Sequence, residues 1–119
     1  MNKVQALDSF WNSFGWDAYD ETSVPDNASL PYITYEVSTD SFNESVPLSA
    51  SLWMQSNSWK DITLKEMEIA EAIGRGGKMV AYEGGAFWVT KGSPWSYRVQ
   101  GENKQTRRIT LNILVEFID

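Results

Sequence analysis

The run Gly74-Arg75-Gly76-Gly77-Lys78 has the composition of a phosphate cradle, in which backbone N–H groups and a lysine surround an anion. The nucleotide-binding loop places four residues between its glycine and the Gly-Lys pair, adds a Ser or Thr, and joins a strand to a helix. Here a helical pattern precedes the glycines, a strand pattern follows, and Met79 succeeds the lysine. The glycines therefore read as a helix stop. Asp17, Asp20 and Glu21 could supply the carboxylate pair of a glycoside hydrolase, with tryptophans to stack on a sugar. A chain of 119 residues leaves little room for both a core and a deep cleft. Nor does the spacing of these acids match a loop whose alternate residues ligate calcium. Histidine and cysteine are absent, which removes the commonest general base, the commonest metal ligand and the thiol nucleophile. The expectation is a protein without catalytic residues, cofactor or metal.

Aromatic and cationic residues carry the remaining chemistry. Of the six tryptophans, Trp11 and either Trp88 or Trp53 fit core or sheet faces, whereas Trp16, Trp59 and Trp95 fall at element boundaries. Tryptophan and arginine are enriched where proteins grip one another, so Trp59, Trp95, Arg98, Arg107 and Arg108 are the candidate interface residues. The alternative for Arg107 and Arg108 is that they are edge charges blocking unwanted strand pairing.

Residues 1–59 hold one base, Lys3, against eight acids, while residues 60–119 hold nine bases and eight acids. Such asymmetry suits head-to-tail self-association, in which an acidic patch meets the basic groups of the next copy. A net charge of -6 disfavours tight wrapping of nucleic acid. Apolar runs fall short of a membrane span, and the basic-then-apolar layout of a signal peptide is missing. A soluble protein assembled in the cytoplasm is expected, so the Asn27 and Asn43 glycosylation sequons are chance matches.

One domain of about this size must position these groups. Val4, Leu7, Phe10, Trp11 and Phe14 stripe a first helix over 2–14, capped by Gly15. A loop over 16–30 carries Asp17, Asp20, Glu21 and Asp26. Tyr32–Val37 and Leu48–Gln55 read as strands, joined by a turn at Ser41–Val46. Thr63 and Glu66 form a capping box for a second helix to Ile73, with Ile62 and Met67 as its staple. A Gly84-Gly85 turn sets Tyr82 opposite Phe87, Val80 opposite Val89, and Lys78 opposite Lys91. Pro94 opens a short extended piece, and Gly101–Thr106 connects it to a closing strand. There Ile109, Leu111, Ile113, Val115 and Phe117 alternate with mostly polar residues. The fold class is α+β: a single mixed, mostly antiparallel sheet with two main helices packed on one face.

Leu30-Pro31-Tyr32-Ile33-Thr34-Tyr35, Asp61-Ile62 with Glu68–Ile73, and Gly92-Ser93-Pro94-Trp95 with Arg107–Ile113 come in an order that resembles the tail-terminator and tail-completion proteins of long-tailed bacteriophages. The resemblance covers about two-thirds of the chain. It implies a homo-oligomeric ring, a hexamer, that caps the tail tube, stops its polymerisation and joins it to the head-tail connector in the virion's tail or neck. DNA would pass through the lumen without specific binding, and Asp17, Asp20, Glu21 and Asp26 could line that lumen and repel phosphates. Neck, head-completion and minor capsid proteins share the pattern. An aromatic-rich module binding carbohydrate or peptide is the alternative from another class.

Overall fold

The computed structural model describes residues 1–38, 45–100 and 105–118. Residues 41–44 of the expected turn, with the Asn43 sequon, and residues 101–104 of the polar connection lie outside them. In chain order the elements are α1 (Lys3–Asn12), β1 (Asp17–Asp20), β2 (Tyr32–Tyr35), β3 (Ser45–Gln55), α2 (Lys60–Ile73), β4 (Lys78–Tyr82), β5 (Gly85–Val99) and β6 (Thr106–Ile118). The six strands form one sheet in the order β1-β2-β3-β6-β5-β4. The β1–β2 pair is parallel and every other pair antiparallel.

The closing strand β6 lies in the middle of the sheet, laddered to β3 on one side and β5 on the other. Its odd positions from Ile109 to Phe117 are at most 7% exposed. Register carries the same face across the sheet through Ala50 opposite Leu111, Leu48 opposite Ile113, and Val89 opposite Val115. Leu7, Phe10 and Trp11 of α1 and Ile62, Ile69 and Ile73 of α2 join those residues in one buried cluster. Both helices therefore cover one face, as the alternation in β6 requires. The other face carries no layer among the described residues.

The sheet curls enough for α1 to touch both outer strands, β1 and β4. Asn2 caps this helix reciprocally with Gln5, at 2.8 and 2.9 Å. The carbonyl of Met1 accepts the Glu83 N–H at 2.8 Å beside β4. At the other end, the Asn12 side-chain amide takes the Ala18 N–H at 2.9 Å and donates to the Ala18 carbonyl at 3.3 Å. Asn12 thus occupies the free edge of β1 as a neighbouring strand would. Val4 leaves the expected stripe and is 47% exposed, with Ala6 buried in its stead. Gly15 has the left-handed φ of 86° but lies beyond the Ser13 cap, so the helix is shorter than 2–14.

Three further expectations are corrected. The loop over 16–30 contains β1, whose short pairing with β2 aligns Ala18 with Ile33. The helix α2 begins at Lys60, so Thr63 is inside it, and Met67 is 57% exposed, not a staple. Third, the turn residues of the β4–β5 hairpin are Glu83-Gly84. Gly84 takes φ 91°, while Gly85 joins β5 opposite Tyr82. The slip of two residues keeps every side chain on its expected face, but Lys78 now faces Val89 and Lys91 faces Ile113. The expected Lys78–Lys91 repulsion is absent. The piece after Pro94 is continuous with β5 across a register shift between Lys91 and Ser96.

Candidate functional site

Consecutive strand residues point to opposite faces, and Arg107 and Arg108 divide the candidate interface accordingly. On the helix side two guanidinium groups meet the Trp59 indole, Arg98 at 4.7 Å and Arg107 at 5.0 Å from the ring centroid. Arg107 also donates to the Ser56 carbonyl at 3.2 Å and the Asn57 carbonyl at 2.9 Å. It thereby ties the β3–α2 link to the central strand. Arg98 is exposed and makes no hydrogen bond among the described residues. A planar cation stacks on an indole without losing its charge, so this stack presents two positive charges on a half-buried aromatic base.

On the open face Arg108 sits 4.5 Å above the Trp53 ring and donates to Ser51 Oγ at 3.1 Å. Trp53 in turn donates its indole N–H to Thr34 Oγ1 at 2.9 Å. The aromatic row runs on through Tyr32, 6.5 Å from Trp53, to Tyr19, 5.8 Å from Tyr32. Beside it Ser49, Ser51, Thr110 and Asn112 form a polar ladder over β3 and β6. Met79, Tyr97, Leu114 and Ile118 lie exposed over β4, β5 and β6. No carboxylate reaches ion-pair distance of Arg98, Arg107 or Arg108 among the described residues.

Four of the five candidate interface residues thus gather at one end of the sheet, three on the helix side and Arg108 behind them. Trp95 stands apart. Its indole N–H and the Ser96 hydroxyl, the latter at 3.2 Å, both donate to the Glu66 carboxylate on α2. This carboxylate was expected to cap the helix; it fastens β5 to α2 instead. The edge-charge alternative for Arg107 and Arg108 fails, because β6 is an interior strand.

The acidic residues do not form one cluster. Asp17 is exposed on β1, and Asp20 accepts the Thr22 N–H and hydroxyl at 2.9 and 2.8 Å, holding the turn after β1. Glu21 and Asp26 are exposed beyond that turn. Among the described residues no three carboxylates converge as metal ligands. Nor is any helix long and apolar enough to cross a membrane. Burial first, then the 2.5 Å hydrogen bond to Asp8, pushes the Tyr35 pKa well above the usual tyrosine value.

Sequence reasoning missed Tyr19, Tyr32, Thr34 and Trp53 as one row. Each is an ordinary strand residue, and only the β1–β2–β3 register aligns them.

The architecture belongs to the α+β class, a curled six-stranded sheet covered by helices on one side. A chain from the virion of a native gene transfer agent particle has the same fold. The likeness covers 99% of this chain and 87% of that one, with a TM-score of 0.60 and 15% sequence identity. No protein-family model matches the sequence, and no curated protein matches it.

Proposed function

We propose that this protein is a structural subunit of a phage-like virion, and specifically the tail terminator: a ring that caps the tail tube, stops its growth and meets the head connector. The observation that carries the proposal is the fold shared along nearly the whole chain with a gene transfer agent virion component. The tail-terminator role rests on the sequence stretches 30–35, 61–62 with 68–73, and 92–95 with 107–113, and on their order along the chain. The function is assembly, with no catalysis. Arg98, Arg107 and Trp59 form the basic half of the contact between neighbouring copies, and exposed acids of the first half of the chain form the other. Two unlike patches make a heterologous contact, which closes into a ring when the rotation permits. Asp17, Glu21 and Asp26 are free to face a DNA-conducting lumen, whereas Asp20 is committed to its turn.

The test is polymerisation of the cognate tail tube protein, with tube lengths read by electron microscopy. Substoichiometric addition of this chain should cap one end and shorten the length distribution. Unchanged lengths and no end density would contradict the terminator role and favour a neck or minor capsid position.

A further inference from the structure

An open sheet has two edges, and unpaired strand edges invite pairing with other chains. In this sheet they are treated differently. The β1 edge is closed by Asn12, as described above. Among the described residues the backbone of the β4 edge is met only at Glu83, by the Met1 carbonyl. Hydrogen-bonded pairs alternate along an antiparallel ladder. Tyr82 and Gly85 flank the two-residue turn, so Val80 and Lys78 bond inward to β5, while Met79 and Ala81 direct their N–H and C=O groups outward. Neither has a backbone or side-chain hydrogen-bond partner on that side among the described residues.

Alongside this edge runs a groove of about 280 Å³ between β4 and α1. Phe10 and Val80 form its apolar floor, Ser9 and Ser13 its helix wall, and Lys78 one end. Arg75 stands just beyond, exposed. Neither Lys78 nor Arg75 meets a carboxylate at ion-pair distance among the described residues. A strand edge flanked by a helix is the arrangement in which extended peptides add to a sheet. Main-chain bonds then supply affinity, and alternate side chains supply specificity.

We propose that the β4–α1 groove binds an extended segment of a partner protein as a seventh strand, with an apolar residue opposite Val80 and a carboxylate two positions away, opposite Lys78. Val80 and Lys78 are on the same face of β4, so both partner side chains enter the groove. The lysine also discriminates, since a strand without a carboxylate leaves its charge uncompensated against the apolar floor. This inference is independent of the ring proposal, because it concerns a different edge and different residues.

The test is amide NMR on the intact chain titrated with the capped peptide Ser-Thr-Val-Thr-Asp-Thr-Ser. The Met79 and Ala81 amides should shift saturably and slow their exchange. A peptide with Lys in place of Asp should bind at least several-fold more weakly. Ala81→Pro removes an outward donor without taking a bond from β5, and should abolish binding. Ser9→Trp, which fills the groove from α1 and leaves the β4 sequence unchanged, should do the same should Ala81→Pro disturb the fold. Absence of saturation at millimolar peptide, equal binding of the lysine peptide, or undiminished binding by folded variants would overturn the proposal.

Discussion

Replacing Arg98 should separate folding from the proposed assembly more cleanly than replacing any other residue of the basic cluster. Its guanidinium lies 4.7 Å from the Trp59 ring centroid, it is exposed, and it makes no hydrogen bond among the described residues. An exposed cation–π contact contributes about 0.5–1 kcal/mol. Replacement by glutamate therefore costs the fold no more than about 1 kcal/mol, which for a domain of this size lowers Tm by about 4 °C. Arg107→Glu is the contrast. It loses the indole contact and two bonds to the Ser56 and Asn57 carbonyls. Hydrogen bonds from charged donors contribute about 1.5–3 kcal/mol each, discounted here because the group is partly exposed. Its cost is at least about 2 kcal/mol. Thermal unfolding and native mass, measured on both variants, give the assay. Arg98→Glu should keep nearly the full Tm and lose self-association, which opposite charges should restore in a mixed assembly with a neighbour's acid reversed. An Arg98→Glu protein that unfolds as easily as Arg107→Glu, or that assembles unchanged, refutes the assignment.

Other consequences follow from single contacts. Thr63→Val removes a buried hydroxyl that has no partner among the described residues; Tm should hold or rise by the equivalent of about 1 kcal/mol, whereas an N-cap threonine would make it fall. Gly77→Ala places a Cβ 2.6 Å from the Val89 carbonyl oxygen at φ 90°. Chemical denaturation should show a loss of at least about 3 kcal/mol, against about 1–2 for Gly84→Ala, which has the same backbone hand and open space. The raised Tyr35 pKa means that the folded state keeps the phenol protonated where the unfolded chain has released it. That stabilisation is complete below about pH 10, the unperturbed tyrosine value, and declines as pH rises beyond it. The urea midpoint of the wild type should therefore fall relative to that of Tyr35→Phe in strong alkali, and a wild type that gains on the variant there would contradict the burial of the phenol.

The period-two run in β6 made its buried face legible, because five apolar side chains at alternate positions have one geometric solution. Its central place in the sheet was not, since alternation reveals a face and not a neighbour. The capping signal at Thr63 and Glu66 misled for a specific reason. Both residues are also useful inside a helix: Thr63 faces β5 and β6, and Glu66 anchors Trp95 and Ser96 across 29 and 30 residues of sequence. The strand β1 was hidden in an acidic loop because four residues carry little periodicity, and its edge partner, Asn12, is a helix residue. Of the candidate site, aromatic and arginine types were enough to single out Trp59, Arg98 and Arg107. Their convergence depends on the β5–β6 register, which aligns Arg98 with Ile109 two residues from Arg107. Arg108 followed its own parity to the open face and to Trp53, a pairing that only the β3–β6 ladder provides.

The central claim, that this chain is a ring-forming virion subunit, is tested most directly by native mass across a wide concentration range at low and moderate salt. The account predicts a closed hexamer whose population falls as salt screens the contact between basic and acidic patches. A monomer at every concentration and salt, unaltered by the tail tube protein, would contradict it.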